Sequence, residues 1–107
     1  MPLIERSTMH TSERLPGWKG AFCRSESMLF SQYEIVPGSA IHEHHHDNEE
    51  VWIVVEGELE ITIDGQTAVA RAGDVVVVPT DAHHTVCARS EARAIVASHP
   101  VREEFLR

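Results

Sequence analysis

Residues 38–57 read GSAIHEHHHDNEEVWIVVEG, and this stretch changes character halfway along. Its first half carries four of the chain's eight histidines, followed by acidic residues and an amide. Its second half is apolar and rich in β-branched residues, which favours a buried strand. The pair Asp47-Asn48 between the halves is typical of a tight turn. The stretch therefore predicts a histidine-rich strand at 40–46, a turn, and an apolar strand at 50–56.

The histidines of the first strand indicate a metal site. Because side chains alternate across a strand, His42, His44 and His46 are expected on one face. Side chains two positions apart lie roughly 7 Å from each other along a strand, so two imidazoles can converge on one ion about 2.1 Å from each nitrogen. The turn brings Glu50 to the same ion, and one histidine of the pair 83–84 can supply a further ligand. A solvated polar tract is the alternative.

The rest of the chain is a series of short segments with strand composition, separated by turns. In addition to the two above, strands are predicted at 28–36, 58–63, 66–72, 75–79, 83–88 and 92–98. The dipeptide Asp64-Gly65 between two of them is a strong hairpin signal. About eight strands at this regular spacing indicate an all-β protein, an antiparallel sandwich or barrel. The mixed composition of residues 1–27 predicts no particular structure, and the tail is expected to form a last helical turn or to cap a barrel end.

Two strands lack a polar face. The segments VWIVV and VVVV are apolar at every position, so we expect both strands to be covered on both sides. An apolar surface of this kind on the outside of a small barrel predicts contact with a second copy of the chain, as a homodimer.

The charge balance of the chain argues against several kinds of partner. The net charge is −8, with 17 acidic and 9 basic residues, and the only lysine is Lys19. Without a basic stripe, neither nucleic acid nor an anionic membrane surface is expected as a partner. The segment MPLIERSTMH lacks the apolar core of a signal peptide, and no run approaches the length of a transmembrane helix. Two cysteines, Cys23 and Cys87, do not make a disulfide framework, so we expect a cytoplasmic protein.

The spacing within the opening stretch resembles the first signature motif of the cupin superfamily. Gaps of five, one, three and six residues separate five defined positions, which are Gly38, His44, His46, Glu50 and Gly57. All five have the residue type that the motif requires.

The second cupin motif is matched in part. Gly73, Pro79 and His84 stand at the expected positions. Asp81 replaces a glycine, which is a mild change because aspartate tolerates turn conformations. Ala88 replaces an asparagine. By motif, the resemblance therefore covers residues 38–88.

The resemblance implies a fold, domain limits and a ligand set. The implied fold is an antiparallel jelly-roll β-barrel. A single domain would span 1–107, with the barrel at about 28–98, an N-terminal extension at 1–27 and a C-terminal tail at 99–107. The implied metal ligands are His44, His46, Glu50 and His84. Three imidazoles and one carboxylate suit divalent Fe, Mn, Ni, Co or Zn, and the ligand types do not distinguish these metals.

Four protein ligands leave two positions of an octahedral ion open, which is typical of a catalytic site. The sequence therefore predicts a metal-dependent enzyme acting on a small oxygenated molecule. Isomerisation or ring opening of a sugar acid is one reaction type, and Fe-dependent dioxygenation is another. The alternative is a non-catalytic cupin that binds a metal or a small molecule, as a sensor or partner subunit.

The segments MLFSQYEIVPG and PVREEF resemble the small cupins of pectin-degradation type, which act on unsaturated uronates. This resemblance assigns ligand binding to Arg102. An aspartate that the group carries a few residues earlier has no counterpart here, so His42 and His99 are the candidates for moving a proton near pH 7. His45 and His83 are expected to face away from the ion.

Overall fold

The computed structural model describes residues 2–107 and consists of two facing β-sheets. Within these residues ten strands follow one another, namely β1 His10–Leu15, β2 Trp18–Arg24, β3 Leu29–Ile35, β4 Ala40–His44, β5 Glu49–Glu56, β6 Glu58–Ile63, β7 Gln66–Arg71, β8 Val75–Val78, β9 His84–Ala88 and β10 Ala92–His99. Short 3₁₀ turns lie at Arg6–Thr8 and Glu103–Leu106. Residue 1, part of the predicted N-terminal extension, lies outside the described residues.

The larger sheet has the strand order β1-β2-β3-β10-β5-β8, and the smaller sheet has the order β4-β9-β6-β7. Neighbouring strands pair antiparallel throughout. This arrangement confirms the predicted all-β class and the jelly-roll barrel that the resemblance implied. Across residues 2–107, no helix has the length and apolar composition needed to span a membrane.

Each of the eight strands predicted from residue 28 onward is present, and the main difference lies in β4. This strand ends at His44 instead of residue 46. Its pairing with β9 shifts between Ile41 and His44, where β4 has one residue more than its partner. Such a bulge interrupts the alternation of side chains. Alternation alone therefore does not place His42, His44 and His46 on one face, because it is interrupted at the bulge.

The N-terminal residues are part of the barrel. Strands β1 and β2 form a hairpin, and β2 pairs with β3 along its whole length. Trp18, Ala21 and Phe22 of β2 are buried. The Trp18 ring meets the rings of Tyr33 and Trp52 edge-on, at centroid distances of 5.4 and 5.8 Å. The barrel therefore begins well before residue 28, the start predicted from the sequence.

The core lies between the two sheets and draws on both of them. Its larger buried side chains are Trp18, Ile35, Trp52, Val54, Leu59, Ile61, Val78, Val86 and Val96. In β10, Ala92, Ala94 and Val96 are buried and alternate with less buried neighbours, which is the pattern of a strand with one face on the core. Burying one large aliphatic or aromatic side chain contributes roughly 1.5–3 kcal/mol, so this shared core holds the sheets together.

The outside of the larger sheet is apolar where β5 and β8 run side by side. Four side chains there are 40–59% exposed, and we call them the outer apolar patch: Ile53, Val55, Val75 and Val77. Ile53 pairs with Val75 across the two strands, so the patch is continuous. The expectation that these strands are covered on both sides therefore holds for the inner face only, within a single chain.

Candidate metal centre

Three imidazoles meet at one end of the space between the sheets. His44 ends β4, His46 follows in the next loop, and His84 begins β9. One ring nitrogen of each lies within 4.8 Å of the others. The ring centroids of His44 and His84 are 4.1 Å apart, and the other two pairs are 5.4 and 5.5 Å apart. The structure thus brings three of the four predicted ligands into a group compact enough for one ion.

Glu50, the fourth predicted ligand, is buried beside these rings. Its Oε2 lies 3.2 Å from Nε2 of His46, and its Oε1 lies 3.8 Å from Nε2 of His84. The indole N–H of Trp52 donates a 3.0 Å hydrogen bond to Oε1, which fixes the carboxylate in this orientation. The carboxylate is therefore held with both oxygens towards the imidazoles.

Backbone carbonyls determine which nitrogen of two histidines is free. Nδ1 of His44 lies 2.8 Å from the carbonyl oxygen of His42, and Nδ1 of His84 lies 2.9 Å from that of Ala82. Because a carbonyl oxygen only accepts, each Nδ1 carries the proton and each Nε2 keeps its lone pair. Contacts of this kind orient the histidine ligands of metal sites.

Three ring nitrogens of this group are buried without a hydrogen-bond partner. Nε2 of His84 and both ring nitrogens of His46 have no hydrogen-bond partner among the described residues, since the 3.2 Å approach of Glu50 to Nε2 of His46 lacks hydrogen-bond geometry. Leaving buried polar atoms unpaired is costly, and native structures rarely do so without a reason. A divalent cation would satisfy the Nε2 lone pairs together with the Glu50 carboxylate, and this donor set is one that transition metals accept. The residues present therefore fit a divalent metal.

The loop that carries His46 is fastened at two points. The backbone N–H of Asp81 donates a 2.8 Å hydrogen bond to the carbonyl of His46. The buried side chain of Asn48 donates through Nδ2 to the carbonyl of Pro100 at 2.6 Å. Burial lowers the pKa of His46, and the charge of Glu50 opposes this while that of Arg102 adds to it. A lowered pKa keeps the imidazole in its neutral, metal-binding form.

A cavity of about 410 Å³ opens onto these donors. Its walls include the buried rings of Trp18 and Trp52, the half-buried ring of Tyr33, and the small polar side chains of Ser31 and Ser98. A second, wider groove of about 730 Å³ lies against β7 and β8 and has none of the metal donors in its walls. The smaller cavity is therefore the one connected with the candidate metal centre.

Comparison with known proteins assigns the family. The sequence profile described as "Cupin domain" matches residues 31–100. This chain belongs to the cupin family. Among curated proteins, this cupin is 45% identical over 49 residues to "Polyketide synthase CurC" of Streptomyces cyaneus. The matched stretch is 45% of the cupin but 32% of that relative, so it spans about a third of the relative's length.

Solved structures share the whole fold of this cupin. An RmlC-like cupin from Shewanella frigidimarina has a TM-score of 0.89 at 24% identity, over 98% of this chain and 96% of its own. KdgF from Halomonas sp. has a TM-score of 0.88 at 19% identity, over 97% and 99%. A variant of oxalate decarboxylase from Bacillus subtilis has a TM-score of 0.81 at 18% identity, over 96% of this chain and 31% of its own. At these identities the likeness shows the fold alone.

Of the three candidate catalytic residues of this cupin, His42 and Arg102 line the cavity. His99 does not. Alternation along β10 places the buried Ser98 in the cavity wall and turns His99 to the exposed outer side. We therefore withdraw His99 as a candidate for proton transfer.

His45 and His83 lie outside the metal group. Both are exposed, and their rings stack on one another with centroids 4.5 Å apart. They provide matched controls for substitutions of the inward histidines.

Sequence reasoning missed Arg14, which also lines the cavity. This residue lies on β1, within the segment for which the sequence predicted no structure. Its neighbours, TSERLPGW, contain no spacing that links it to the histidines. Only the pairing of β1 and β2 with the rest of the larger sheet brings it to the site.

Tyr33, the single tyrosine of this cupin, lies in the cavity wall, and its pKa depends on its surroundings there. Burial raises its pKa to about 12, and the charge of Glu50 acts in the same direction. A hydrogen bond from Ser31 and the charges of Arg14 and Arg102 oppose the shift. The phenol therefore keeps its proton at neutral pH and can donate a hydrogen bond.

We expect the metal-free protein to form tyrosinate near pH 12 instead of near pH 10, as read by ultraviolet absorbance. The unfolded chain loses this proton first as the pH rises, so the contribution to stability is complete below about pH 10 and is lost towards pH 12. The contribution is about 3 kcal/mol for a shift of this size. Tyr33→Phe should remove this part of the alkaline pH dependence of unfolding. An ordinary tyrosine titration in the folded protein would contradict the prediction.

Proposed function

We propose that this cupin is a metal-dependent enzyme acting on a small oxygenated molecule, with one divalent ion held by His44, His46, Glu50 and His84. The observation that carries the proposal is the convergence of these four donors, with unpartnered buried ring nitrogens, at a cavity of about 410 Å³. A structural metal site is usually closed by its protein ligands. Here His44 and Glu50 themselves line an open cavity, which favours a catalytic site.

The chain's own residues orient the Glu50 carboxylate and line the cavity with apolar side chains. Trp52 holds the Glu50 carboxylate in place, and Trp18, Leu29 and Val96 line the cavity with apolar surface. A bound divalent ion would supply Lewis acidity towards a carbonyl or enol oxygen. The side chain of His42 lies in the cavity wall, where its imidazole can accept a proton from a ligand and return it.

We favour isomerisation or ring opening of a sugar acid as the reaction. The small pectin-degradation cupins, which the sequence resembles, act on unsaturated uronates. Several groups that can donate or accept a proton line the cavity, among them His42, Tyr33, Ser31 and Ser98. Oxalate decarboxylase, a structural neighbour, is named for a reaction on another small carboxylate. Proton movement on an oxygenated carboxylate is the chemistry that these features support together.

The test combines metal analysis with two assays. Protein purified without chelator is analysed for metal, loaded in turn with Fe, Mn, Ni, Co and Zn, and incubated with an unsaturated uronate whose ultraviolet absorbance is followed. We expect one ion per chain, loss of the absorbance, and no oxygen consumption. Oxygen uptake by the iron form without uronate turnover would instead indicate a dioxygenase. A chain that binds no metal would indicate a non-catalytic binding role.

His42→Ala is expected to lower kcat about 100-fold, because general acid–base groups typically contribute 10²–10⁴-fold. Metal content should not change, since it is the backbone carbonyl of His42 that contacts His44. His45→Ala is the matched control, because His45 is exposed outside the group. Equal kcat values for the two variants would exclude His42 from proton transfer.

We further propose that this cupin forms a homodimer through the outer apolar patch. The patch has no charged side chain, although the chain carries a net charge of −8, so two copies can meet there without repulsion between the side chains of the patch. It includes β8, an edge strand of the larger sheet. A two-fold axis would place the same patch on both sides of the contact, and no other partner is then required.

Replacing Val75 and Val77 together by glutamate is expected to give a monomer, because like charges would then face each other in an apolar contact. Light scattering after size exclusion measures the mass in solution. Val36→Glu is the control, because Val36 is 51% exposed but lies outside the patch. A wild-type protein that is monomeric at micromolar concentration would contradict the proposal.

A further inference from the structure

Two arginines line the cavity of this strongly acidic chain. The net charge of the protein is −8. Of the described residues in the cavity wall, Arg14 and Arg102 are basic, and Glu50 is acidic. Arg14 is exposed and the Arg102 side chain is 26% exposed, so both guanidinium groups lie where a ligand can reach them from solvent. The charge of the cavity wall is therefore opposite in sign to that of the whole protein.

Both guanidinium groups lie over one aromatic ring. The Cζ atom of Arg14 is 4.2 Å from the centroid of Phe105, and that of Arg102 is 4.6 Å from it. Cation–π contacts hold both side chains on this ring. They also place two positive charges at one ring, and an anion bound there would relieve the repulsion between these like charges.

These arginines are also less neutralised than three others on the surface. Arg71 and Arg93 contact glutamate oxygens at 3.0 and 2.7 Å, and Arg24 forms a salt bridge with Glu103. By contrast, Arg14 donates to an uncharged backbone carbonyl, that of Glu104, at 2.8 Å. Arg102 comes no nearer than 3.8 Å to the Glu104 carboxylate. Hydrogen-bonding capacity of both cavity arginines therefore remains for a ligand.

The ring beneath them is fixed in place. Phe105 meets Phe22 edge-on at a centroid distance of 5.4 Å, which packs the C-terminal 3₁₀ turn against β2. The salt bridge between Arg24 and Glu103 ties the same turn to the same strand. An arginine from the first strand and one from the tail are thus held against the same ring at the cavity.

We propose that Arg14 is a second anion-recognition residue of this cavity and that it binds, with Arg102, a carboxylate group of the ligand. This inference rests on the proposed function and deepens it by naming the residue that, with Arg102, recognises the carboxylate of the ligand. The planar guanidinium group matches the two oxygens of a carboxylate. A cavity of about 410 Å³ has room for a small carboxylate.

The test compares D-galacturonate with D-galactose, its neutral counterpart, by calorimetry on metal-free and Zn-loaded protein. We expect galacturonate to bind at least tenfold more tightly than galactose in both forms. Arg14→Gln should weaken galacturonate binding at least tenfold and leave galactose binding unchanged. Arg14→Lys, which keeps the charge without the fork of donors, should give an intermediate affinity. Metal content should be the same in all of these proteins.

Two controls separate recognition from tail anchoring and from net charge. Glu103→Gln breaks the salt bridge with Arg24 but leaves the cavity charge unchanged, and it should keep galacturonate affinity within twofold of wild type. Arg71→Gln makes the same charge change as Arg14→Gln at a site outside the cavity, and it should also have no effect. The proposal is overturned if Arg14→Gln binds galacturonate like wild type, if either control weakens binding equally, or if wild type does not prefer galacturonate. Failure of the metal or turnover assays would contradict the proposed function alone, because carboxylate binding is also measured in metal-free protein.

Discussion

His84→Ala is expected to remove the metal from this cupin, whereas His83→Ala is expected to leave it bound. His84 is 1% exposed, and its Nδ1 is held by the carbonyl of Ala82 so that Nε2 remains free. His83, the next residue, is exposed and stacks on His45. Loss of a partner that merely orients a ligand typically costs 10–100-fold in affinity, so loss of a ligand should cost at least about 100-fold.

The measurement is a Zn²⁺ titration against a coloured chelator, supported by metal analysis after dialysis. Because alanine leaves a space where a buried imidazole stood, the fold of the variant must be checked separately by circular dichroism. His84→Gln fills more of that space and serves as a second variant. Zn²⁺ should raise Tm in wild type and in His83→Ala, since a ligand that binds only the folded state stabilises it, but it should not raise Tm in either His84 variant. Wild-type Zn²⁺ affinity in a folded His84 variant would contradict the assignment.

The part of the fold that the sequence predicted is the part with local signals. In β6, Leu59 and Ile61 are buried and alternate with more exposed neighbours, as the letters ELEITI indicate. Asp64 and Gly65 both have positive φ in the turn that follows, as a tight hairpin requires. β1 gave no such signal because no position of HTSERL is buried and most are exposed, so composition did not separate a strand from a loop. β2 lacks clean alternation because Gly20, Ala21 and Phe22 are buried in succession.

The same distinction applies to the site. His44, His46 and Glu50 lie within seven residues of one another, so their spacing alone indicated a shared ligand role. The cavity wall, in contrast, depends on contacts between distant segments, and Arg14 and Arg102 come from opposite ends of the described chain. The prediction of His99 as a proton-transfer residue was wrong, because only the register of β10 shows that its neighbour Ser98 faces inward. A residue whose position depends on a distant strand's register has no local signature to read.

Gly57→Ala is expected to destabilise this cupin far more than Gly65→Ala. Both glycines have positive φ, 80° and 82°, which costs an alanine roughly 1–2 kcal/mol. A Cβ at Gly65 would meet nothing within 4 Å, whereas a Cβ at Gly57 would lie 2.2 Å from the carbonyl oxygen of Glu91 and 2.9 Å from Cα of Ala92. These are backbone atoms at the start of β10, so the clash cannot be relieved by turning a side chain. We expect a loss of at least about 4 kcal/mol for Gly57→Ala, which is a large fraction of the stability of a small domain.

Urea unfolding of the two variants and wild type measures the difference directly, and equal costs at the two positions would contradict it. The position of Gly57 also explains the spacing of the motif. It is the single residue between β5 of the larger sheet and β6 of the smaller one, so the chain changes sheets there. Glu50 lies near the start of β5, and Gly57 follows its end. Seven residues at about 3.3 Å each place the metal centre about 23 Å from the sheet change at Gly57. The gap from Glu50 to Gly57 in the motif is therefore the length of one strand. A substitution at Gly57 should weaken metal binding by shifting β5, although Gly57 contacts none of the ligands.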